Sequence, residues 1–122
     1  MSDTGIHWVA QLTIAEGKLA DFKARAQETI ASVRANEPGA LAYEWHISED
    51  GRICNVDEWY ADTEAALAHV RGEAVTENLP RLLEVSAFTA LWVYTGIADP
   101  ELRGALTAFG AVFTDRWSGL SP

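Results

Sequence analysis

The chain predicts an α+β domain built on an antiparallel four-stranded sheet with helices on one face. Three observations carry that expectation. Several segments alternate apolar and polar residues with period two, as half-buried strands do. Between them lie stretches whose apolar residues fall three and four apart, the spacing of an amphipathic helix. The segments follow one another as strand-helix-strand, then strand-helix-strand again. At 122 residues the chain suits one domain.

The first strand runs from Ile6 to Ile14, with Ile6, Trp8, Ala10, Leu12 and Ile14 on one face. Glu16-Gly17 turns the chain. Lys18 to Asn36 then carries Leu19, Phe22, Ala26, Ile30 and Val33 at helical spacing, with charged residues between them. Glu37-Pro38-Gly39 stops that helix, because proline disfavours helix in the residue before it. The second strand, from Ala40, puts Leu41, Tyr43, Trp45 and Ile47 on one face. Glu49-Asp50-Gly51 is a turn signal, so residues 40–48 and 52–60 form a hairpin. Pairing Ser48 with Arg52 would put Tyr43 and Trp45 on the face of Asn55 and Asp57. A two-residue turn would invert that parity; the first register is the expected one.

Asp62 is suited to cap the next helix, and Glu64 adds negative charge to its first turn. The helix propagates through Ala65, Ala66, Leu67 and Ala68, and Gly72 can end it in a left-handed conformation. A second helical piece follows, broken or restarted around Asn78-Leu79-Pro80. Ala87 to Ile97 is the fourth strand. Asp99-Pro100-Glu101 caps a short helix that reaches about Phe109. The boundaries expected are a core domain over 1–98 and a C-terminal helix and tail over 99–122. That tail, with Val112, Phe113, Trp117 and Leu120, packs on the same domain or on a partner chain.

The order is that of a ferredoxin-like split βαβ arrangement. The strands are apolar on more than one face, since Trp8 and Val9, or Trp92 and Val93, cannot both point at the helices. The face away from the helices therefore needs a cover. A second copy of the same sheet supplies it, giving a homodimer.

Composition narrows the partners. Nine basic against eighteen acidic residues give a net charge of -9. That opposes nucleic acid and anionic membrane surfaces, both of which need a positive field. No apolar run approaches the ~20 residues of a membrane span. The start of the chain lacks a signal-peptide layout, so a cytoplasmic location is expected. The single cysteine, Cys54, falls in a strand and reads as a small buried hydrophobe. His7 and His46 have no acidic or cysteine partner at ligand spacing, and no metal is expected.

The run Glu37-Pro38-Gly39-Ala40-Leu41-Ala42-Tyr43-Glu44, with Glu58-Trp59 and Glu64 to His69, resembles the antibiotic biosynthesis monooxygenase family over about residues 6–96. The resemblance implies a dimeric α+β barrel with a pocket between sheet and helices in each subunit. It implies oxygenation of a phenolic or quinol-type aromatic by O2, with no cofactor. In polyketide-tailoring members an asparagine four residues before a tryptophan lines the pocket, and Asn55 and Trp59 have that spacing. A pocket tyrosine expected in the following helix is missing here. The family pattern then implies Asn55 as hydrogen-bond donor, Trp59 for stacking, and His69 or Tyr43 for proton transfer. Two alternatives stand beside it: a non-catalytic dimeric small-molecule-binding domain, and a haem-binding or haem-degrading protein. The haem relatives place an asparagine in the first strand, where this chain reads Trp8-Val9-Ala10-Gln11.

Overall fold

The computed structural model describes residues 5–120. Strand β1 (Ile6–Ile14) leads to helix α1 (Leu19–Asn36), and the hairpin β2 (Ala40–Ile47) and β3 (Ile53–Tyr60) follows. Helix α2 (Thr63–Arg71) runs into a π-helical turn (Ala74–Asn78) and the short α3 (Leu79–Leu82). Strand β4 (Ser86–Val93), helix α4 (Pro100–Ala108) and a short β5 (Ala111–Phe113) complete the chain. The sheet order is β2-β3-β1-β4-β5.

The ferredoxin-like α+β class holds, but the sheet is five-stranded and mixed. β5 adds to the edge of β4 in parallel, pairing Trp92 with Val112. The four-stranded antiparallel expectation missed it because three residues are too few to show a period. Among the described residues no helix is long and apolar enough to cross a membrane.

The period-two pattern of β1 decides which face is the core. Ile6, Trp8, Ala10, Leu12 and Ile14 are all buried under the helices. α1 lays Phe22, Ala26, Thr29 and Val33 on them. α2 adds Ala66, Leu67 and His69, and α4 adds Leu102 and Leu106. The caps form as expected: Asp62 accepts from the Ala65 N–H at 2.9 Å, and Asp99 accepts from Leu102 N–H at 2.9 Å. Gly72 is a different case. Its φ is -82°, so it does not end α2 in a left-handed turn. Its need is for space: a Cβ there would stand 2.7 Å from the Ala68 carbonyl oxygen.

The hairpin register also differs from the expectation. Ser48 N–H donates to the Ile53 carbonyl at 2.8 Å, so Ser48 pairs with Ile53 rather than Arg52. The Ser48 hydroxyl accepts from Ile53 N–H at 3.0 Å and holds the four-residue loop between them. Tyr43 therefore faces Glu58, Trp45 faces Val56 and Ile47 faces Cys54. A one-residue slip exchanges the two faces of a strand. Cys54, Val56, Glu58 and Tyr60 point under the helices, while Asn55, Asp57 and Trp59 point to the open face. Leu41 leaves the face of Tyr43 because the pairing shifts between Ala40 and Ala42.

Candidate active site

Charged groups are scarce under an apolar sheet, so Glu58 stands out. It lies directly across from Trp8 on β1, on the face that also carries Val56 and Tyr60. It is 5% exposed. α2, oriented by its Asp62 cap, carries His69 on its buried face near its C-terminal end. Glu37 enters from the turn between α1 and β2 and is also buried.

These three side chains form one cluster. His69 Nδ1 lies 2.8 Å from Glu37 Oε1, and Nε2 lies 3.3 Å from Glu58 Oε1. Tyr60 donates its hydroxyl to Glu58 Oε1 at 2.7 Å. Burial works against charge on His69, but the hydrogen bonds and charges of Glu37 and Glu58 outweigh it and raise its pKa to about 9. The ring therefore carries its second proton at neutral pH, hydrogen-bonded to Glu37 through Nδ1 and ion-paired with Glu58 through Nε2. Burial first, and the carboxylate charges second, raise the Tyr43 and Tyr60 phenols well above their ordinary value. Both stay neutral hydrogen-bond donors. Burial likewise pushes Cys54 up to about 11, which leaves its thiol inert at neutral pH.

The cluster borders a cavity of about 60 Å³ between sheet and helices. That space holds a few water molecules. Glu58, His69, Tyr43 and Trp45 line one part of its wall, and Leu79, Phe88, Leu106 and Phe109 line another. Tyr43 meets His69 edge-on at 5.5 Å, and Trp8 lies 6.2 Å from it. Outside, between α1 and β2, an open groove of about 340 Å³ reaches Glu37 and Tyr43. His69 thus joins a carboxylate on the groove side to one on the cavity side.

His69 and Tyr43 are brought together, with ring centroids 5.5 Å apart. Asn55 and Trp59 are not with them. Asn55 is exposed on the opposite face of the sheet. Trp59 lies there too, stacked on His7 with ring centroids 3.9 Å apart and planes 6° from parallel. His7 Nε2 in turn lies 2.6 Å from Asp57 Oδ1. The register slip is the cause: the inward pair with the same spacing is Val56 and Tyr60. Sequence reasoning missed Glu58, Glu37 and Tyr60. The signal for two of them was the parity of β3, where Glu58 and Tyr60 share a face with Cys54 and Val56. Glu37 had no such signal, because Glu-Pro-Gly reads as a helix stop alone.

The fold and the buried Glu37–His69–Glu58 cluster define a small ferredoxin-like α+β protein with a cavity under its helices. The chain belongs to the antibiotic biosynthesis monooxygenase family, whose sequence profile matches residues 5–78. MupZ from Pseudomonas fluorescens is a structural neighbour at 22% identity and TM-score 0.81, covering 97% of this chain and 94% of its own. That coverage takes in α4 and β5. A Caulobacter crescentus CB15 protein bearing the same family name matches at 25% identity and TM-score 0.69, over 77% of this chain and 91% of its own. SnoaB, a cofactor-independent oxygenase from Streptomyces nogalater, matches at 16% identity and TM-score 0.65, over 80% of this chain and 97% of its own. Among curated proteins none matches this chain.

Proposed function

We propose that this chain is a monooxygenase that oxidises a phenolic or quinol-type aromatic with O2, without metal or flavin, in the cavity beside Glu58 and His69. Family membership supports the reaction class. The observation that carries the reading is the buried Glu37–His69–Glu58 cluster in the wall of an aromatic cavity. Such a reaction asks the protein to handle protons, exclude water and orient a ring.

In this reading Glu58 accepts the proton of a substrate hydroxyl, and the imidazolium of His69 stabilises the resulting anion. The electron-rich anion gives one electron to O2, and the two radicals combine at a ring carbon. A proton from His69 completes the peroxide. Loss of water then leaves a quinone: one oxygen atom stays on the ring and the other departs as water. Glu37 holds Nδ1 of His69, orients the ring and connects it to the outer groove. Tyr60 fixes Glu58.

The cavity of about 60 Å³ is too small for an aromatic ring as it stands. Binding therefore moves the wall made by Leu79, Leu106 and Phe109. Oxygen uptake with a series of hydroquinones and naphthols tests the proposal. Glu58→Gln keeps the size of the side chain and should lower turnover about 100-fold or more. Absence of uptake across the series, or full activity in Glu58→Gln, defeats it. The homodimer and the cytoplasmic location belong to the same proposal; the open sheet face supports the first.

A further inference from the structure

Trp45, a residue of the cavity wall, carries a buried polar atom with no hydrogen-bond partner. Among the described residues, two buried side-chain polar atoms lack a hydrogen-bond partner: Trp45 Nε1 and Asn78 Oδ1. Asn78 is not part of the cavity wall, whereas Trp45 is. Thr29, another polar residue of the wall, already donates its hydroxyl to the Arg25 carbonyl at 3.0 Å. An indole N–H can only donate, and buried donors are nearly always paired. A spare donor on a residue that lines a cavity next to an acid–base cluster points to an acceptor that arrives with a ligand.

Its position says which ligand. Trp45 follows Tyr43 by two residues on β2, so the two share a face about 6.6 Å apart along the strand. Tyr43 touches the His69 ring edge-on on one side and the Trp45 ring on the other, at 5.5 Å and 5.6 Å. Trp45 therefore stands about one aromatic ring away from the cluster. We propose that the Trp45 indole N–H binds a second oxygen of the substrate, at the end of the ring remote from the hydroxyl that meets Glu58. The ligand class is an aromatic with oxygens at both ends, a quinol or a hydroxyaryl ketone, rather than a plain phenol. The proposal rests on the cavity being the substrate site, but not on oxygen chemistry.

The test is a binding experiment without O2, on the full chain with ¹⁵N-labelled indoles. Trp45→Phe assigns the Trp45 resonance. 4-Hydroxyacetophenone should move that resonance downfield as the N–H finds the ketone oxygen. 4-Ethylphenol, which lacks the ketone, should bind without moving it. Trp45→Phe should weaken the ketone roughly 3- to 10-fold and leave 4-ethylphenol unchanged. A Trp45 resonance that ignores the ketone overturns the proposal, whether the ketone binds elsewhere or does not bind. Equal weakening of both probes in Trp45→Phe also overturns it, since the indole would then act by packing. Oxygen uptake absent with every phenol would defeat the oxygenase proposal and leave this one standing.

Discussion

His69 is where burial and charge contend most directly. A buried imidazole on its own would lose its proton, yet two carboxylates hold it on the ring with a pKa of about 9. In the unfolded chain a histidine titrates near ~6.5. The fold thus binds this proton more tightly than the unfolded chain does. Its contribution to stability is full below about pH 6.5 and is lost as pH rises through about 9. The thermal midpoint of the protein should therefore fall across that window. In His69→Gln the same window should be nearly flat. The direct check is the NMR titration of the His69 ring, with a midpoint near 9 that drops in Glu37→Gln. A midpoint near ~6.5 in the native protein would mean the carboxylates do not govern the ring. Activity, where proton donation by His69 is required, should decline over the same alkaline range.

At the scale of elements, α2 must sit close to the hairpin for His69 to reach Glu37 and Glu58. Gly39 permits this: a Cβ there would stand 2.5 Å from the Ala65 side chain on α2. Gly39→Ala should push the helix outward and lower the unfolding free energy by about 1–3 kcal/mol. Gly104, in α4, has nothing within 4 Å of its would-be Cβ. Gly104→Ala should instead stabilise by roughly 0.5–1 kcal/mol, through helix propensity. Denaturant unfolding of the two variants separates close approach from backbone freedom; equal effects would remove the packing argument. The same elements show what the sequence could reveal. α1, α2 and α4 were legible because stripes and caps are local. β1 was legible because nine residues alternate without a break. The parity of β3 was not, because Glu49-Asp50-Gly51 announces a turn without fixing its length. The Ser48 hydroxyl settles the loop, and that single residue of register turns Asn55 and Trp59 away from the cavity and puts Glu58 in its wall. Crossing β1 to β3 would have helped, since Trp8 faces the core and so must the residue opposite it.

At the scale of the whole molecule, the open face of the sheet is the feature the single chain leaves unfinished. A row runs across it through Asp57, Val9, Trp92 and Val112, one residue from each of four neighbouring strands. Trp92 is 44% exposed and Tyr94 45%, and Trp59 lies on the same face. Indole and phenol rings in such a row favour a partner surface. Two such sheets packed back to back would bury them about 10 Å apart, as in a sandwich. The net charge of -9 works against this, because a second copy doubles it. Salt should therefore strengthen the association by screening the repulsion. Trp92→Glu would place a carboxylate between Val9 and Val112 in that row and should raise the dimer dissociation constant by about 100-fold or more. The substitution lies on the side of the sheet away from His69, so the His69 titration should keep its midpoint. Sedimentation equilibrium at low and high salt, on native protein and Trp92→Glu, checks both statements. A native chain that stays monomeric at every salt concentration would leave the tryptophans of this face without a reason, and the covered-sheet proposal would fall with it.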